Sequence, residues 1–316
     1  MKPKSTNKTF VSDTYITDWL ERIGIDYDII TDDLLHQEGI ELLKNYRVVM
    51  TGHHPEYYST QMLDAVENYQ DIGGRLMYMG GNGFHWVTSY HSQLPGVIEM
   101  RKFGVSAKKW TERDYYELRH SSDSVIGGFW KDNERPSNQI VGVLYNGDNS
   151  QASDPYQRLP DSYHPRAAFI FEGVNNKVFG DYGLIGNGAS GYEFDHISYE
   201  QGTPIHALHL AQAFLTNFTE STEMWTKVLS RPLHGADMVF FEVPKGGAVF
   251  SVGSMAWVGA LSQNDYSNDV ARITENVLRR FLDKTPLLLL GDKSNQRLSN
   301  PINGYKGNGT ACPYGH

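Results

Sequence analysis

The sequence predicts an α/β fold with a mainly parallel sheet and flanking helices. Helical and strand-like segments alternate through the first third of the chain, the strand segments are continuous apolar runs, and glycine-rich turns separate them. Parallel strands joined by helices are covered on both faces, and apolar runs of this kind are typical of them. The polar, turn-rich residues from about 89 to 161 predict an irregular insertion packed on the sheet.

The chain begins with a helix, a strand and a second helix. Ser12 or Asp13 can cap a helix whose apolar residues recur at helical spacing and which Gly24 ends. Residues 25–30, IDYDII, predict a strand, and Asp32 begins the next helix.

Two further strands form a βαβ unit with the helix between them. The apolar run 48–50, VVM, predicts a strand, and Ser59 caps the helix that follows the next turn. That helix ends at Gly73, and the run 75–79, RLMYM, predicts a strand that leads into the glycine-rich turn 80–83, GGNG. In a parallel pair the carboxyl ends of both strands lie at the same edge of the sheet.

The second half of the chain contains fewer clear elements. Residues 167–173, AAFIFEG, predict a strand, and residues 183–195 predict a glycine-rich loop that carries Glu193. The last elements are a hairpin joined by PKGG and an amphipathic helix, at residues 238–243 with 248–254 and at residues 269–284.

Length and composition predict a globular protein. The chain has 316 residues and is 40% hydrophobic, which is enough for a sizeable core. We expect one domain over residues 11–284 and a flexible tail over residues 285–316. The single cysteine, Cys312, lies in that tail, which excludes an intrachain disulfide and argues against cysteine catalysis.

Charge and hydropathy limit the expected partners. A net charge of -9 provides no basic surface for phosphate groups, so neither nucleic acid nor an anionic membrane is an expected partner. The N-terminal residues lack the apolar core of a signal peptide, and no segment reaches the roughly 18 apolar residues of a membrane span. We therefore expect a cytoplasmic protein.

The turn after the 48–50 strand is the main candidate for an active site. Its residues 53–58, HHPEYY, place two imidazoles and the Glu56 carboxylate where ligands bind in open α/β sheets. Imidazole and carboxylate are common ligands of zinc and iron, and either can act as a general base. The spacing of His54 and Glu56 does not match a helical metal motif, so a histidine pair bonded to backbone at a turn is the alternative.

The glycine-rich turn 80–83 is a second candidate. The Asn82 amide and the backbone N–H groups could stabilise an oxyanion, although a tight exit from the strand explains the same glycines. Glu193 either reaches into a cleft or is an ordinary solvated acid. Because its strand is the neighbour of the 48–50 strand, Asn82 should lie at the same sheet edge as His54 and Glu56.

Several runs of sequence together resemble one known family. The runs DWLERIGIDYDIITDDLLHQEG, YRVVMTGHHPEYYS, GGRLMYMGGNGFHW, PDSYHPRAAFIFEG, GNGASGYEFD and GGAVFSVGSMAWVGALSQNDYSNDVARITENVL resemble, in this order, the C-terminal part of the N,N-dimethylformamidase large subunit. The resemblance covers roughly residues 11–283. It implies a fold similar to class I glutamine amidotransferases, but this chain lacks their nucleophilic cysteine, so glutaminase chemistry is not implied.

The resemblance also implies an activity and a set of site residues. Members of this family hydrolyse a substituted formamide to formate and an amine, using a mononuclear ferric ion held by two tyrosines and one glutamate. By resemblance, Glu56 would bind iron, and His54, Asn82 and Glu193 would be catalytic residues that position or activate water and substrate. The implied substrate is a small N-substituted formamide or amide, and the implied partner is a small subunit or a second copy of the chain.

The family's two tyrosine ligands lie upstream of the region that this chain matches. Tyr15, Tyr57 and Tyr58 are candidate substitutes, His53 or His54 could hold a different metal, and an upstream segment on another polypeptide could complete the site. Two hypotheses therefore remain open. The chain is either a metal-dependent amidohydrolase, with iron as the expected metal, or a metal-free binding or assembly domain that is catalytically incomplete.

Overall fold

The computed structural model describes residues 8–102, 118–214 and 234–287. Its helices are α1 (Lys8–Ile23), α2 (Asp32–Glu38), α3 (Ile40–Leu43), α4 (Thr60–Asp71), α5 (Asn138–Val141) and α6 (Asp269–Leu282). Its strands are β1 (Val48–Met50), β2 (Tyr57–Tyr58), β3 (Arg75–Tyr78), β4 (Trp86–Tyr90), β5 (Ile98–Met100), β6 (Leu144–Asp154), β7 (Tyr156–Arg158), β8 (Val178–Phe179), β9 (Ser190–His196), β10 (Leu208–Phe214), β11 (His234–Val243) and β12 (Gly247–Ser251). Short 3-10 helices lie at Trp130–Asn133, Pro160–Tyr163, Pro165–Ala167, Tyr199–Gln201, Pro244–Gly246 and Trp257–Ala260.

The main sheet is mixed rather than parallel. Within the described residues it has seven strands in the order β1-β3-β12-β11-β10-β7-β8. The β1–β3 and β3–β12 pairs are parallel, and the other four pairs are antiparallel. The prediction of a mainly parallel, class I glutamine amidotransferase-like sheet with flanking helices is therefore wrong. The βαβ pattern holds for β1, α4 and β3, whereas β10, β11 and β12 follow one another as antiparallel neighbours, which need no helical crossover.

The middle of the chain is partly built into the sheets. Strand β7 lies inside the main sheet between β10 and β8, and β6 pairs antiparallel with β9. Strands β2, β4 and β5 form a further sheet that starts directly after the turn at residues 53–56. The prediction that residues 89–161 form an irregular insertion packed on the sheet is therefore wrong in part. These residues contribute strands to the sheets instead of only packing on them.

Several local predictions are confirmed. The Ser59 hydroxyl caps α4 by accepting a hydrogen bond from the Met62 N–H (3.3 Å). Helix α1 ends before Gly24, which has a φ of +69°, but it begins at Lys8, one turn before the predicted caps. Strands β11 and β12 form the expected hairpin, and α6 is the expected last helix.

Two predicted strands are wrong. Residues 25–30 form neither a helix nor a strand, and with α1 and β1 they line a cavity of about 590 Å³. Residues 167–173 form turns that continue the 3-10 helix Pro165–Ala167. Their buried side chains, Ala167, Ile170 and Phe171, follow helical spacing, and a short apolar run does not distinguish this from a strand.

The hydrophobic core covers both faces of the main sheet. Successive residues of a strand point to opposite faces, so Leu76 and Tyr78 of β3 pack on the α4 side and Met77 packs on the α6 side. No helix among the described residues is both long and apolar enough to cross a lipid bilayer. The predicted tail, apart from residues 285–287, and Cys312 lie outside the described residues.

One buried ion pair should contribute strongly to stability. Arg166 Nε donates to Glu242 Oε1 (2.9 Å), and the guanidinium also donates to the His206 carbonyl (3.0 Å). The two charged side chains are only 13% and 4% exposed. Because Arg166→Met leaves the Glu242 carboxylate buried without its cation, we expect a loss of about 3–5 kcal/mol in the free energy of unfolding, measured by denaturant titration.

The matched control is Arg279→Met, which removes the exposed partner of Glu275 (2.7 Å) on α6. Exposed helical pairs of this kind contribute about 0.3–0.5 kcal/mol, so this variant should be close to wild type. Equal losses in the two variants would contradict a special contribution from Arg166.

Candidate active site

The turns after β1 and β3 meet at one edge of the sheet, as predicted. The two strands are parallel neighbours, so the chain leaves both at the same edge. Backbone hydrogen bonds then join the turns: the Gly81 N–H donates to the His53 carbonyl (3.2 Å), and the Phe84 N–H donates to the Pro55 carbonyl (2.8 Å). The two candidate turns are therefore one hydrogen-bonded unit.

Close packing of these turns explains their glycines. A Cβ atom at residue 80 would lie 2.2 Å from the His53 carbonyl oxygen, and one at residue 81 would lie 2.4 Å from the Glu193 carbonyl oxygen. Only glycine permits such an approach of backbone to backbone. Gly80 and Gly81 therefore bring the chain segments that carry the candidate residues into contact.

Four side chains predicted from the sequence converge at this edge. Asn82 lies at their centre, with Nδ2 3.2 Å from Glu56 Oε1 and 3.1 Å from Glu193 Oε2. His54 Nε2 lies 2.9 Å from Glu193 Oε2 and 3.5 Å from Glu56 Oε2. The structure thus brings together two carboxylates, an imidazole and an amide, while the catalytic role of each residue stays a prediction.

Glu193 lies on β9 and not in a glycine-rich loop, so that part of the prediction is wrong. The glycine run before it leads into the strand, which begins at Ser190. Phe194 is buried in the core, and strand alternation directs Glu193 and Asp195 to the opposite face.

A buried network holds the Asn82 turn. Asn82 has a left-handed backbone with a φ of +50°, a conformation that asparagine tolerates better than most residues. Its backbone N–H donates to Asp195 Oδ1 (2.7 Å), and the next N–H, of Gly83, donates to the Tyr78 hydroxyl (2.7 Å). The Tyr78 hydroxyl in turn donates to Asp195 Oδ2 (2.6 Å).

The contact between His54 and Glu193 favours the charged form of both groups. Burial alone would lower the pKa of His54, but the hydrogen bond to Glu193 and the nearby carboxylate charges outweigh burial and raise that pKa. Burial likewise opposes ionisation of Glu193, but hydrogen bonds from His54 and Asn82 hold the pKa of Glu193 below its ordinary value. The contact therefore favours an imidazolium next to a carboxylate.

Three residues of this site were not predicted from the sequence: Trp86, Asp195 and Tyr78. Trp86 Nε1 donates to Glu56 Oε1 (3.0 Å), the oxygen that also accepts from Asn82. A buried indole N–H usually has a polar partner, which is a usable signal for Trp86. For Asp195 the usable sequence signal is the acid–apolar–acid alternation of residues 193–195, which is typical of a strand with both acids on one face.

The residues considered as substitute metal ligands have other environments. The backbone N–H and the ring Nδ1 of His53 both bond to Asp13 Oδ1, at 2.9 and 2.8 Å. Tyr15 and Tyr58 pack in the hydrophobic core. Burial and the charge of the neighbouring glutamate raise the pKa of Tyr57, which favours the neutral phenol.

The donors at this edge fit iron in chemical type but do not form a complete coordination shell. Carboxylate oxygen and imidazole nitrogen are both ligands of non-haem iron. Among residues 8–102, 118–214 and 234–287, however, no group of three or more His, Cys, Asp or Glu side chains is arranged to hold a metal ion. With His54 paired to Glu193, the ligand that fits best is the Glu56 carboxylate.

The cavity of about 590 Å³ reaches this cluster at His54. Its lining includes His54 and Pro55 at one end, together with residues of α1, β1 and the segment 25–30, but not Glu56, Asn82 or Glu193.

A carboxylate hydrogen-bonded to an imidazole, beside a second carboxylate, is an arrangement suited to moving protons to and from water, as in acid–base hydrolases. A family model described as "N,N-dimethylformamidase beta subunit-like, C-terminal" matches residues 1–268. The chain belongs to this family, which confirms the resemblance seen in the sequence motifs.

Individual relatives agree with this assignment. The N,N-dimethylformamidase beta subunit of Paracoccus aminophilus is 36% identical over 289 residues, and that of an Alcaligenes species is 35% identical over 285 residues. These matches cover 88% and 87% of this chain but only 38% and 37% of the relatives, so the chain spans well under half of their length. Among solved structures, a ThuA-like protein from Bacteroides uniformis is similar over 89% of both chains, with a TM-score of 0.46 and 12% sequence identity.

Proposed function

We propose that this chain carries catalytic residues of an amide hydrolase of the N,N-dimethylformamidase type. The reaction cleaves the C–N bond of a small N-substituted formamide or amide and yields a carboxylate and an amine. The observation that carries the proposal is the convergence of Glu56, Glu193 and His54 on the Asn82 amide. Membership of the family supports the type of reaction.

In the proposed reaction, Glu193 and His54 together carry one proton from water to the amine nitrogen. The Glu193 carboxylate accepts a proton from water as the water oxygen bonds to the carbonyl carbon. The His54 imidazolium donates its proton to the amine nitrogen as the C–N bond breaks. The proton on Glu193 then passes to His54 along their 2.9 Å hydrogen bond, which restores both groups.

Asn82 has two functions in this proposal. Its Nδ2 donates to both carboxylates and so holds two negative charges in one small site. Its Oδ1 is buried and has no hydrogen-bond partner among the described residues. A buried acceptor of this kind gains stability when a water or a substrate N–H binds to it.

We further propose that Glu56 is one ligand of a mononuclear iron. Trp86 and Asn82 fix its carboxylate through Oε1. The two tyrosine ligands implied by the family would come from a segment outside the matched region, from a small subunit or from a second copy of the chain. When bound, iron supplies a Lewis acid that polarises the carbonyl oxygen.

The second candidate function is a metal-free binding or assembly domain that needs an upstream segment or a partner chain. One observation favours it: both oxygens of the Glu56 carboxylate already have protein partners, Oε1 with Trp86 and Asn82 and Oε2 with His54. This alternative predicts that the purified chain has no amidase activity and forms a stable complex with a partner.

Formate release from N,N-dimethylformamide tests the proposed function. We expect iron-loaded protein to be active and Glu193→Gln to lower kcat by about 10²-fold, because an amide cannot accept the proton from water. Glu200→Gln, in an exposed 3-10 helix, is the control and should retain full activity. A complete enzyme, including the chain segment that supplies the tyrosine ligands, that holds no iron and releases no formate after iron reconstitution would overturn the proposal in favour of the binding domain.

A further inference from the structure

We propose that Asp195 and Tyr78 are positioning residues, which hold the Asn82 turn so that the Asn82 amide meets both carboxylates. Their effect on catalysis rests on the proposed function, whereas the positioning itself rests on the contacts of the turn. Neither residue contacts the substrate in this proposal, because both are buried below the turn.

The first argument is that both oxygens of Asp195 accept a hydrogen bond. One accepts from the Asn82 N–H and the other from the Tyr78 hydroxyl. The Tyr78 hydroxyl also accepts the following N–H, of Gly83. Two successive backbone N–H groups of one turn are therefore fixed by a single pair of side chains.

The second argument is that Asp195 and Glu193 belong to the same strand. Asp195 and Glu193 lie two residues apart on β9 and on the same face of the strand. The same strand thus places one acid below the Asn82 turn and the other against the Asn82 side chain. This shared support fixes the distance between Asn82 and Glu193.

The third argument is that this network is energetically demanding. A carboxylate buried to this extent is unfavourable unless its oxygens are hydrogen-bonded. Burial raises the pKa of Asp195 to about 7, although hydrogen bonds from Tyr78 and Asn82 favour its ionised form. The left-handed Asn82 backbone also needs support from its surroundings, and the pair supplies that support.

Amide hydrogen exchange and kinetics together test the inference. In Asp195→Asn, the new side chain can accept one of the two hydrogen bonds, but its NH2 group must face the other donor. We expect exchange of the Asn82 and Gly83 N–H groups, followed by NMR, to become about tenfold faster. We also expect kcat to fall by about 10²-fold with little change in KM, because the turn is displaced while substrate contacts persist.

Tyr78→Phe is the second variant, in case Asp195→Asn does not fold. It removes the acceptor of the Gly83 N–H and one donor to Asp195, so it should change exchange and kcat in the same direction. The double variant should be no worse than Asp195→Asn, because both residues act through one turn.

Asp237→Asn is the matched control. Asp237 lies on β11, and its carboxylate is buried to a similar extent. It contacts the His209 ring (2.9 Å), the Gln212 amide (2.7 Å) and the Ile197 N–H (2.9 Å). This variant should lose stability without a change in kcat or in exchange at the Asn82 turn.

Unchanged exchange at Asn82 and Gly83 in the Asp195 and Tyr78 variants would overturn the inference. An equal change in Asp237→Asn would also overturn it, because the effect would then reflect general destabilisation. If the complete wild-type enzyme shows no amidase activity, the proposed function fails, while the exchange data still decide whether the pair positions the turn.

Discussion

Replacement of Glu56 by glutamine is expected to abolish iron retention and to lower kcat/KM by roughly a thousandfold or more. Glutamine has nearly the same shape, but its amide is a poor metal ligand. Its carbonyl oxygen can replace Oε1 as the acceptor for the Trp86 indole and the Asn82 amide, which leaves its NH2 group facing the His54 ring in place of Oε2. Elemental analysis after desalting measures the first effect, and formate release measures the second.

The control for Glu56 is Glu275→Gln on α6, which removes a carboxylate that pairs with Arg279 at the surface. This variant should keep the iron content and activity of wild type. A Glu56→Gln protein that binds iron stoichiometrically would contradict the assignment of this residue as a ligand, whatever its activity.

Asn82→Asp is expected to lower kcat by about 10²- to 10³-fold. The substitution replaces a donor to two carboxylates with a third negative charge between them. Aspartate tolerates the left-handed backbone nearly as well as asparagine, so the turn itself should survive. Steady-state kinetics and a thermal unfolding curve on the same preparation separate a catalytic effect from loss of fold.

The chain offers a close control for this change. Asn264 also has a left-handed backbone, with a φ of +52°, but it is exposed and far from the site in sequence. Asn264→Asp therefore makes the same chemical change in the same backbone conformation. An equal loss of kcat in the two variants would argue against a special role for the Asn82 amide.

The sequence predicted the first half of the site well because that half depends on local pattern. Strands β1 and β3 are short apolar runs joined by a capped helix, and this βαβ unit placed His54, Glu56 and Asn82 at one sheet edge. The same pattern was misleading for the fold as a whole. It did not predict β7 and β10, which pair antiparallel in the main sheet.

The rest of the site could not be predicted because its contacts are between distant residues. Asn82 and Glu193 are 111 positions apart, and Tyr78 and Asp195 are 117 positions apart. The glycine run before β9 also concealed the strand alternation that directs Glu193 and Asp195 to one face. Only the pairing of distant segments shows that an acid on β9 supports a turn after β3.

These long separations also determine when the site can form. Contacts between distant residues require closure of a large loop, and folds rich in such contacts acquire them slowly. The individual turns can take shape early, but the Asn82 amide meets Glu193 only when β9 has docked. Catalytic activity during refolding should therefore rise with the final native structure and not with the earlier gain of helix.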